Sequence, residues 1–174
     1  MRRVIVQELL DGRAVSVLNA AGEIQPYVAT KPAWESASET DRRFASWASY
    51  YAVRFSLILK PGERALGVWP DQAGYSLMGR DPFAVTDILD ATERPLSYDR
   101  VTHRLAARFA VLPVLYDGEQ SISLEAALDL LGPHGHYGAL GPPLGLTWRV
   151  EYDGQPLFTH RIYLAHMSDA LTSA

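Results

Sequence analysis

The stretch from Ser38 to Trp69, SETDRRFASWASYYAVRFSLILKPGERALGVW, decides how the rest of the chain is interpreted. Ser38 is a favourable N-cap residue, and Asp41 follows where its carboxylate can accept from the free N–H groups of a first helical turn. Four apolar residues come next at the spacing i, i+3, i+4, i+7, which is one face of a helix: Phe44, Trp47, Ala48 and Tyr51. We therefore predict a helix to Tyr51, with its aromatic side chains at the centre of the core.

Residues 52–59 fit two periods. The helical face continues through Phe55, Ile58 and Leu59, but apolar residues also alternate with polar ones from Val53 onward, as in a half-buried strand. The sequence Lys60-Pro61-Gly62-Glu63 has proline and glycine where a type II turn requires them. Because an apolar run over residues 64–69 follows the turn, we favour a strand over 52–59 in a hairpin with 64–69, and a helix is the alternative.

Length, charge and composition set broad limits. With 174 residues, one domain over residues 1–174 is the default. The chain has no cysteine, which excludes disulfides and thiolate chemistry, and its net charge of −4 argues against a general nucleic-acid binder. No apolar run reaches the ~20 residues of a membrane span, and we see no signal peptide. We expect a cytoplasmic protein without membrane contact.

Tight-turn signals predict three hairpins outside the central stretch. The turns are Asp11-Gly12 between residues 4–6 and 14–18, Ala21-Gly22 before a short strand, and Asp153-Gly154 between residues 146–152 and 157–165. Three further helices are predicted over residues 81–89, 97–112 and 123–131, capped by Asp81, Ser97 and Ser123. The order favours an α+β fold: an antiparallel or mixed sheet built from hairpins, with three to four helices packed mainly on one face.

The sharpest polar feature is the pair His134 and His136, in the segment GPHGHYGALGPPLG over residues 132–145. Five glycines and three prolines predict an irregular loop, which fixes no common direction for the two imidazoles. A structural zinc site normally shows a second ligand pair, which is missing here, so we predict no metal. A long ordered loop is often functional, so the segment is also a candidate lid over a site.

Arginines recur on the predicted helix over residues 97–112. Arg100, Arg104 and Arg108 follow at i, i+4, i+8 and form a candidate binding row for phosphate or an acidic partner. Ion pairing with nearby aspartates is the alternative interpretation. Tyr50 is the one aromatic residue near Trp47 that the face count leaves outside the core, so it is the fourth candidate binding residue.

No phosphate-binding, dinucleotide-binding, metalloprotease or hydrolase motif occurs, so no cofactor is predicted. We therefore interpret the chain as a non-enzymatic interaction or assembly protein, such as a subunit of a phage or virion-like complex. Its partner would be another protein or a second copy, with nucleic acid unfavoured. The alternative is a small hydrolase or isomerase with its site where residues 70–80 meet residues 132–145. There, His134 or His136 would be the acid/base, and Asp71 or Asp81 would orient it.

Overall fold

The computed structural model describes residues 1–70, 75–76, 81–106 and 108–164. The chain divides into two compact units: the first is Met1–Asp11, Pro70–Arg80 and Leu112–Ala174, and the second is Gly12–Trp69 and Asp81–Val111. Each unit contains one sheet and at least one helix, so the predicted α+β class is confirmed. The prediction that residues 1–174 form one domain is not tested by this division.

The strands are short to medium in length and belong to two sheets. In chain order they are β1 (Arg2–Leu9), β2 (Arg13–Ala20), β3 (Glu23–Val28), β4 (Lys31–Pro32), β5 (Arg64–Trp69), β6 (Ala84–Leu89), β7 (Ala110–Val111), β8 (Val114–Gly118), β9 (Gly145–Tyr152) and β10 (Gln155–Tyr163). The first unit holds the antiparallel order β10-β9-β1-β8. The second holds β4-β3-β2-β5-β6-β7, in which β6 and β7 are parallel. Both mixed and antiparallel pairing therefore occur, as predicted.

Helices surround the aromatic core of the second unit. They are α1 (Glu39–Tyr50), α2 (Ala52–Ile58) and α3 (Tyr98–Leu105), whereas α4 (Leu124–Leu131) belongs to the first unit. Phe44 and Phe55 are fully buried, and Trp47 packs against both Phe55 and Trp69 with ring centroids 5.9 and 5.5 Å apart. The predicted aromatic centre of the core is confirmed, and Tyr50 is 82% exposed as the face count indicated.

Residues 52–58 are helical, so the favoured prediction of a strand is wrong. Within α2, Phe55 and Ile58 are buried while Val53 and Leu57 are 74% and 64% exposed. A strand period would have placed Val53, Phe55 and Leu57 on one buried face, and only the helical period separates them. The predicted turn is present, with Gly62 at φ +84° and the Glu63 N–H donating to the Lys60 carbonyl, but it connects a helix to β5.

Residues 84–89 form strand β6 rather than the predicted helix capped by Asp81. The apolar positions had helical spacing because the pairing with β5 shifts register, with Leu66 opposite Asp87 and Gly67 opposite Val85. A bulge of this kind breaks the simple alternation of a strand and imitates a helical period. Asp81 instead accepts from the guanidinium of Arg54, 2.7 Å away.

The turn at Asp11-Gly12 does not close a hairpin, because β1 and β2 lie in different sheets. The other two hairpins are confirmed, β2–β3 across Ala21-Gly22 and β9–β10 across Asp153-Gly154. Helix α4 is also confirmed, with the Ser123 hydroxyl accepting from the Ala126 N–H and Gly132 ending the helix at φ +68°. No helix in the described part of the chain is long and apolar enough to cross a membrane.

Two details of the predicted helices are corrected. Asp41 does not meet the first-turn N–H groups: its carboxylate accepts from the Ser36 hydroxyl at 2.7 Å and from Arg13 at 2.9 Å. The helix that begins after Ser97 ends at Leu105, so Arg108 lies beyond it. Its premature end breaks the predicted arginine row.

The two faces of α2 make a direct test of the helical assignment. We expect Phe55→Ala to lower the free energy of unfolding by about 3–5 kcal/mol, because it removes a fully buried ring. Val53→Ala, two positions away and exposed, should change it by less than about 0.5 kcal/mol. Urea titration followed by tryptophan fluorescence measures both, and equal losses at the two positions would contradict the helix.

Candidate functional site

One face of the first sheet is polar although its centre is buried. Thr147, Arg149 and Glu151 alternate along β9 with relative exposures of 6%, 3% and 1%. We call these three residues, together with Thr159 and Arg161 of β10, the polar face. Burying charged groups costs free energy unless they are paired, so such a row is more often retained for a function than for stability.

Arg149 and Glu151 form a buried ion pair at the centre of the polar face. The Arg149 Nε donates to Glu151 Oε1 at 2.8 Å, and both side chains are at least 96% buried. Desolvation offsets much of the attraction in such a pair, which is therefore weak as a source of stability. The ion pair holds the Arg149 guanidinium in one orientation. A guanidinium fixed in this way suits an oxyanion ligand.

Strand β10 adds an exposed edge to this face. The register places Thr159 opposite Arg149 and Arg161 opposite Thr147, so two arginines and two threonines alternate across the two strands. Directly opposed residues have Cβ atoms ~5 Å apart and diagonal ones ~7–8 Å apart. Thr159 and Arg161 are exposed, and Arg161 makes no ion pair with any described residue. Two guanidiniums and two hydroxyls at this spacing suit a phosphate group.

Thr147 carries a buried hydroxyl whose Oγ has no hydrogen-bond partner among the described residues. Leaving a buried hydroxyl unpaired costs roughly 1–3 kcal/mol, which is why nearly all such groups have partners. The Thr147 side chain lies directly opposite Arg161. The unpaired hydroxyl is thus the buried neighbour of an exposed arginine.

Gly145 allows β9 and β10 to meet at the end of the polar face. A Cβ at Gly145 would lie 1.9 Å from the carbonyl oxygen of Ile162, a separation that no side chain tolerates. Any larger residue would push the two strands apart and displace the pairs that start at Thr147. This glycine is thus required by the geometry of the hairpin.

An exposed ion pair stands at the opposite edge of the same sheet. Arg3 donates from Nε and Nη2 to the two carboxylate oxygens of Asp117, each at 2.7 Å. The bidentate hydrogen bonds from Arg3 lower the pKa of Asp117 below its ordinary value of 3.8. Arg3 lies directly opposite Glu151 in the β1–β9 pairing, so this ion pair borders the polar face.

The loop over residues 132–145 is anchored to a buried carboxylate. Glu8 is fully buried, and its Oε2 accepts from the backbone N–H of His136 at 2.6 Å and of Tyr137 at 3.1 Å. Gly135 has φ +63°, and a Cβ there would lie 2.3 Å from the Glu8 carboxylate. The anchor therefore depends both on the carboxylate and on the absence of a side chain at position 135.

The predicted meeting of residues 70–80 with the 132–145 loop is observed at Tyr75 and Ser76. Tyr75 forms an antiparallel bridge with Ala139, and the Ser76 N–H donates to the Gly138 carbonyl at 2.7 Å. The Tyr75 hydroxyl accepts from the Asp11 N–H at 2.6 Å. Burial raises the pKa of Tyr75 above its ordinary value, so this phenol stays neutral and keeps its proton.

The residues proposed from the sequence as catalytic have other contacts. The His136 Nε2–H donates to the Leu130 carbonyl at 2.8 Å, and His134 is exposed. Asp81 pairs with Arg54 in the second unit, and Asp71 lies outside the described residues. These contacts give His136 and Asp81 structural roles, and their participation in catalysis stays a prediction.

The residues proposed as a binding row are not equivalent. Arg104 is largely buried, pairs with Glu63 and donates to the Ile58 carbonyl at 3.2 Å. Arg100, Arg108 and Tyr50 are exposed. Their role in binding stays a prediction, but Arg104 belongs to the interior of the second unit.

The sequence analysis missed the polar face. The signal was available in residues 147–151, TWRVE, where polar residues occupy every second position of a predicted strand. Alternation of this kind is usually assigned to a solvent-exposed face, and nothing in the sequence distinguishes a buried polar row from an exposed one.

Similarity to solved structures appears only at the level of the fold. No family model and no curated protein sequence matches the chain. An RNA ligase of Naegleria gruberi with ATP and manganese has a TM-score of 0.69 at 16% identity, covering 97% of this chain and 51% of that one. The structure of the same ligase with pyrophosphate (PPi) has a TM-score of 0.70 at 16% identity, covering 98% of this chain and 52% of that one. The structure of the ligase with AMP and manganese has a TM-score of 0.68 at 16% identity, covering 97% of this chain and 52% of that one.

These neighbours overturn two sequence-based expectations. The chain spans about half the length of the ligase it matches, and at this identity the likeness establishes the fold. The interpretation as a non-enzymatic, phage- or virion-like assembly protein is wrong, because the proteins that share this fold here are RNA ligases. The expectation that nucleic acid is not a partner is contradicted by the same comparison. The exclusion had rested on net charge, which does not report where individual arginines lie.

We expect Glu8→Ala to loosen the 132–145 loop without unfolding the sheet, because it removes the acceptor of two loop N–H groups. Hydrogen exchange at the His136 and Tyr137 amides should become much faster. Glu125→Ala, an exposed carboxylate on α4, is the matched control and should leave these amides unchanged. Unchanged hydrogen exchange in Glu8→Ala would show that Glu8 does not anchor the loop.

Asp117 should contribute to the acid sensitivity of the protein. Since its pKa is lowered in the folded state, its stabilising effect is complete above 3.8 and is lost as the pH falls through the lowered value. We expect Asp117→Asn to flatten the dependence of unfolding free energy on pH between about pH 5 and pH 2. Urea titrations across this range measure it, and an unchanged slope would show that the Arg3 pair contributes nothing.

Proposed function

We propose that this chain is an RNA-ligase-like nucleotidyltransferase domain that binds ATP by its phosphates at the polar face. The observation that carries the proposal is the unpaired, buried Thr147 hydroxyl beside Arg149 and opposite Arg161, on a fold shared with an ATP-binding RNA ligase. AMP and pyrophosphate, the ligands of the other ligase structures, are the two halves into which adenylyl transfer divides ATP. A cytoplasmic location remains an expectation from the sequence.

The chemistry proposed for this site is electrostatic. An ionised phosphate oxygen of a second substrate, which has no proton to lose, attacks the α-phosphorus of ATP; the bond from that phosphorus to the β-phosphate oxygen breaks, and pyrophosphate leaves with the electron pair. Charge accumulates on the departing oxygens, where Arg149 and Arg161 can donate hydrogen bonds. Arg149 is held in place beforehand by Glu151, so it need not reorganise as the charge develops.

The acceptor is proposed to come from the RNA. The chain has two lysines, Lys31 and Lys60, and both side chains are exposed. A lysine becomes an effective nucleophile when burial or a neighbouring cation favours its neutral form, and an exposed amine lacks that activation. The chain also has no cysteine. We therefore expect the adenylyl group to pass to the second substrate rather than to a lysine of this chain.

A divalent ion does not fit as a protein-held group in the described residues. No three histidine, aspartate or glutamate side chains come together there, and Glu151 is already paired with Arg149. Magnesium and manganese are commonly held through substrate phosphates with few protein ligands. No step of the proposal is assigned to the metal.

ATP titration by calorimetry tests the site. We expect Arg161→Gln to weaken ATP binding about tenfold or more, because a charge-assisted phosphate contact contributes roughly 1.5–3 kcal/mol. Arg94→Gln, an exposed arginine of the second unit with the same change of charge, is the matched control and should leave ATP binding unchanged. Pyrophosphate release from ATP on addition of RNA measures the reaction itself.

Thr147→Val separates binding from stability. The substitution removes a buried hydroxyl without a described partner, so the free protein should be equally stable or more stable. ATP affinity should nevertheless fall, because the ligand loses a hydrogen bond. Equal ATP affinity in Thr147→Val, Arg161→Gln and the unaltered protein, or no ATP binding by any of them, would reject the polar face as the nucleotide site.

A further inference from the structure

We propose that the opposite face of the β9–β10 hairpin binds single-stranded RNA by stacking bases on exposed aromatic rings. This inference rests on the proposed function, which supplies RNA as the substrate, and it assigns the surface that receives it. We call this surface the aromatic patch and define it by the exposed rings of Tyr152, Phe158 and His160 together with Trp148, which is half-buried and packs against the core of the unit.

The register of the hairpin places the four rings on one face. Phe158 lies opposite Val150 and His160 lies opposite Trp148. Trp148 is a diagonal neighbour of Phe158, ~7–8 Å away, whereas Tyr152 pairs with Gln155 on the far side of the register shift between Pro156 and Phe158. Rings at this separation are far enough apart to receive successive bases individually rather than stack on each other.

The patch is exposed because the helix that covers this face stops short of it. Val4, Val6 and Leu146 pack with Ala127 and Leu131 of α4 to form the core of the first unit. Towards the turn of the hairpin the cover ends, and Tyr152 and Phe158 are 54% and 57% exposed. Large rings left this open on neighbouring strands forgo burial worth ~25 cal/mol per Å², which marks a surface with a partner.

The charges around the aromatic patch favour a polyanion. Arg2 lies opposite Tyr152 on β1, is exposed and donates to the Ser121 hydroxyl at 2.9 Å. Arg161 follows His160 on the same edge strand, but its side chain belongs to the polar face, so Arg2 is the arginine on this side of the hairpin. The acidic residue of the turn, Asp153, is paired with the amino group of Met1. Stacking rings beside an arginine are a combination by which proteins hold single-stranded nucleic acid.

The choice between single-stranded RNA and other polyanions follows from the rings. Bases in a duplex are already stacked within it and present only their edges, so they cannot lie on Phe158 or Tyr152. An acidic peptide would use Arg2 but has no flat surface for the rings. The aromatic patch therefore predicts a preference for single strands, with contributions from both ring and charge.

The test uses a short fluorescein-labelled single-stranded RNA and measures anisotropy with the full chain. We expect Phe158→Leu to weaken binding about tenfold, because it keeps an apolar side chain but removes the ring. Phe158→Tyr should restore binding close to that of the unaltered protein. Leu140→Ala, an equally exposed apolar residue in the loop of the same unit, should have no effect. Since Phe158 is exposed, all three variants should fold.

ATP binding measured on the same samples separates this inference from the proposed function. If RNA affinity is unchanged in Phe158→Leu, or if duplex and single strand bind equally, base stacking at the patch is wrong while the nucleotide site stands. If the protein binds ATP but no RNA, only this inference falls. If Phe158→Leu loses RNA and keeps ATP, the inference is supported. If neither ligand binds the unaltered protein, both proposals fall.

Discussion

The antiparallel pairing of β1 with β9 is the interaction on which the first unit depends. It runs over eight residues, from Arg2 opposite Tyr152 to Leu9 opposite Gly145. Because side chains alternate along a strand, this single register determines both faces of the sheet. A slip of one residue would turn Arg149 and Glu151 towards α4. It would also expose the apolar strand residues that now pack against α4, so the wrong register is strongly disfavoured.

The same pairing gives the hairpin two surfaces of opposite character. One carries an ion pair, an unpaired hydroxyl and an exposed arginine, which together suit phosphate. The other carries rings that suit bases. The proposed nucleotide and single-stranded RNA would thus lie on two sides of one hairpin. Gly145 is the position where this hairpin tolerates no side chain, because a Cβ there would collide with the Ile162 carbonyl.

Local signals in the sequence predicted much of the fold but little of the site. Turn and cap chemistry located the β2–β3 and β9–β10 hairpins and helix α4, since Ser123, Gly132 and Gly154 act through their immediate neighbours. Errors arose where tertiary pairing overrode local pattern. The register shift in the β5–β6 pairing gave the apolar residues of β6 a helical spacing. Residues 52–58 are helical because this conformation places Phe55 and Ile58 in the aromatic core. The polar face could not be predicted because the burial of Arg149 depends on contacts distant in the chain. Thr147 stands out only through its missing hydrogen-bond partner, which the sequence does not show.

The separation of β1 from β9 in the chain has a consequence for synthesis. Residues 12–69 and 81–111, which supply the whole second sheet, leave the ribosome before β9 is made. β1 is translated before the second unit and its partner β9 after it, so the apolar side chains of β1 lack that partner while the second unit is made. The nascent protein can therefore build its aromatic core before the β9–β10 hairpin is available to join β1.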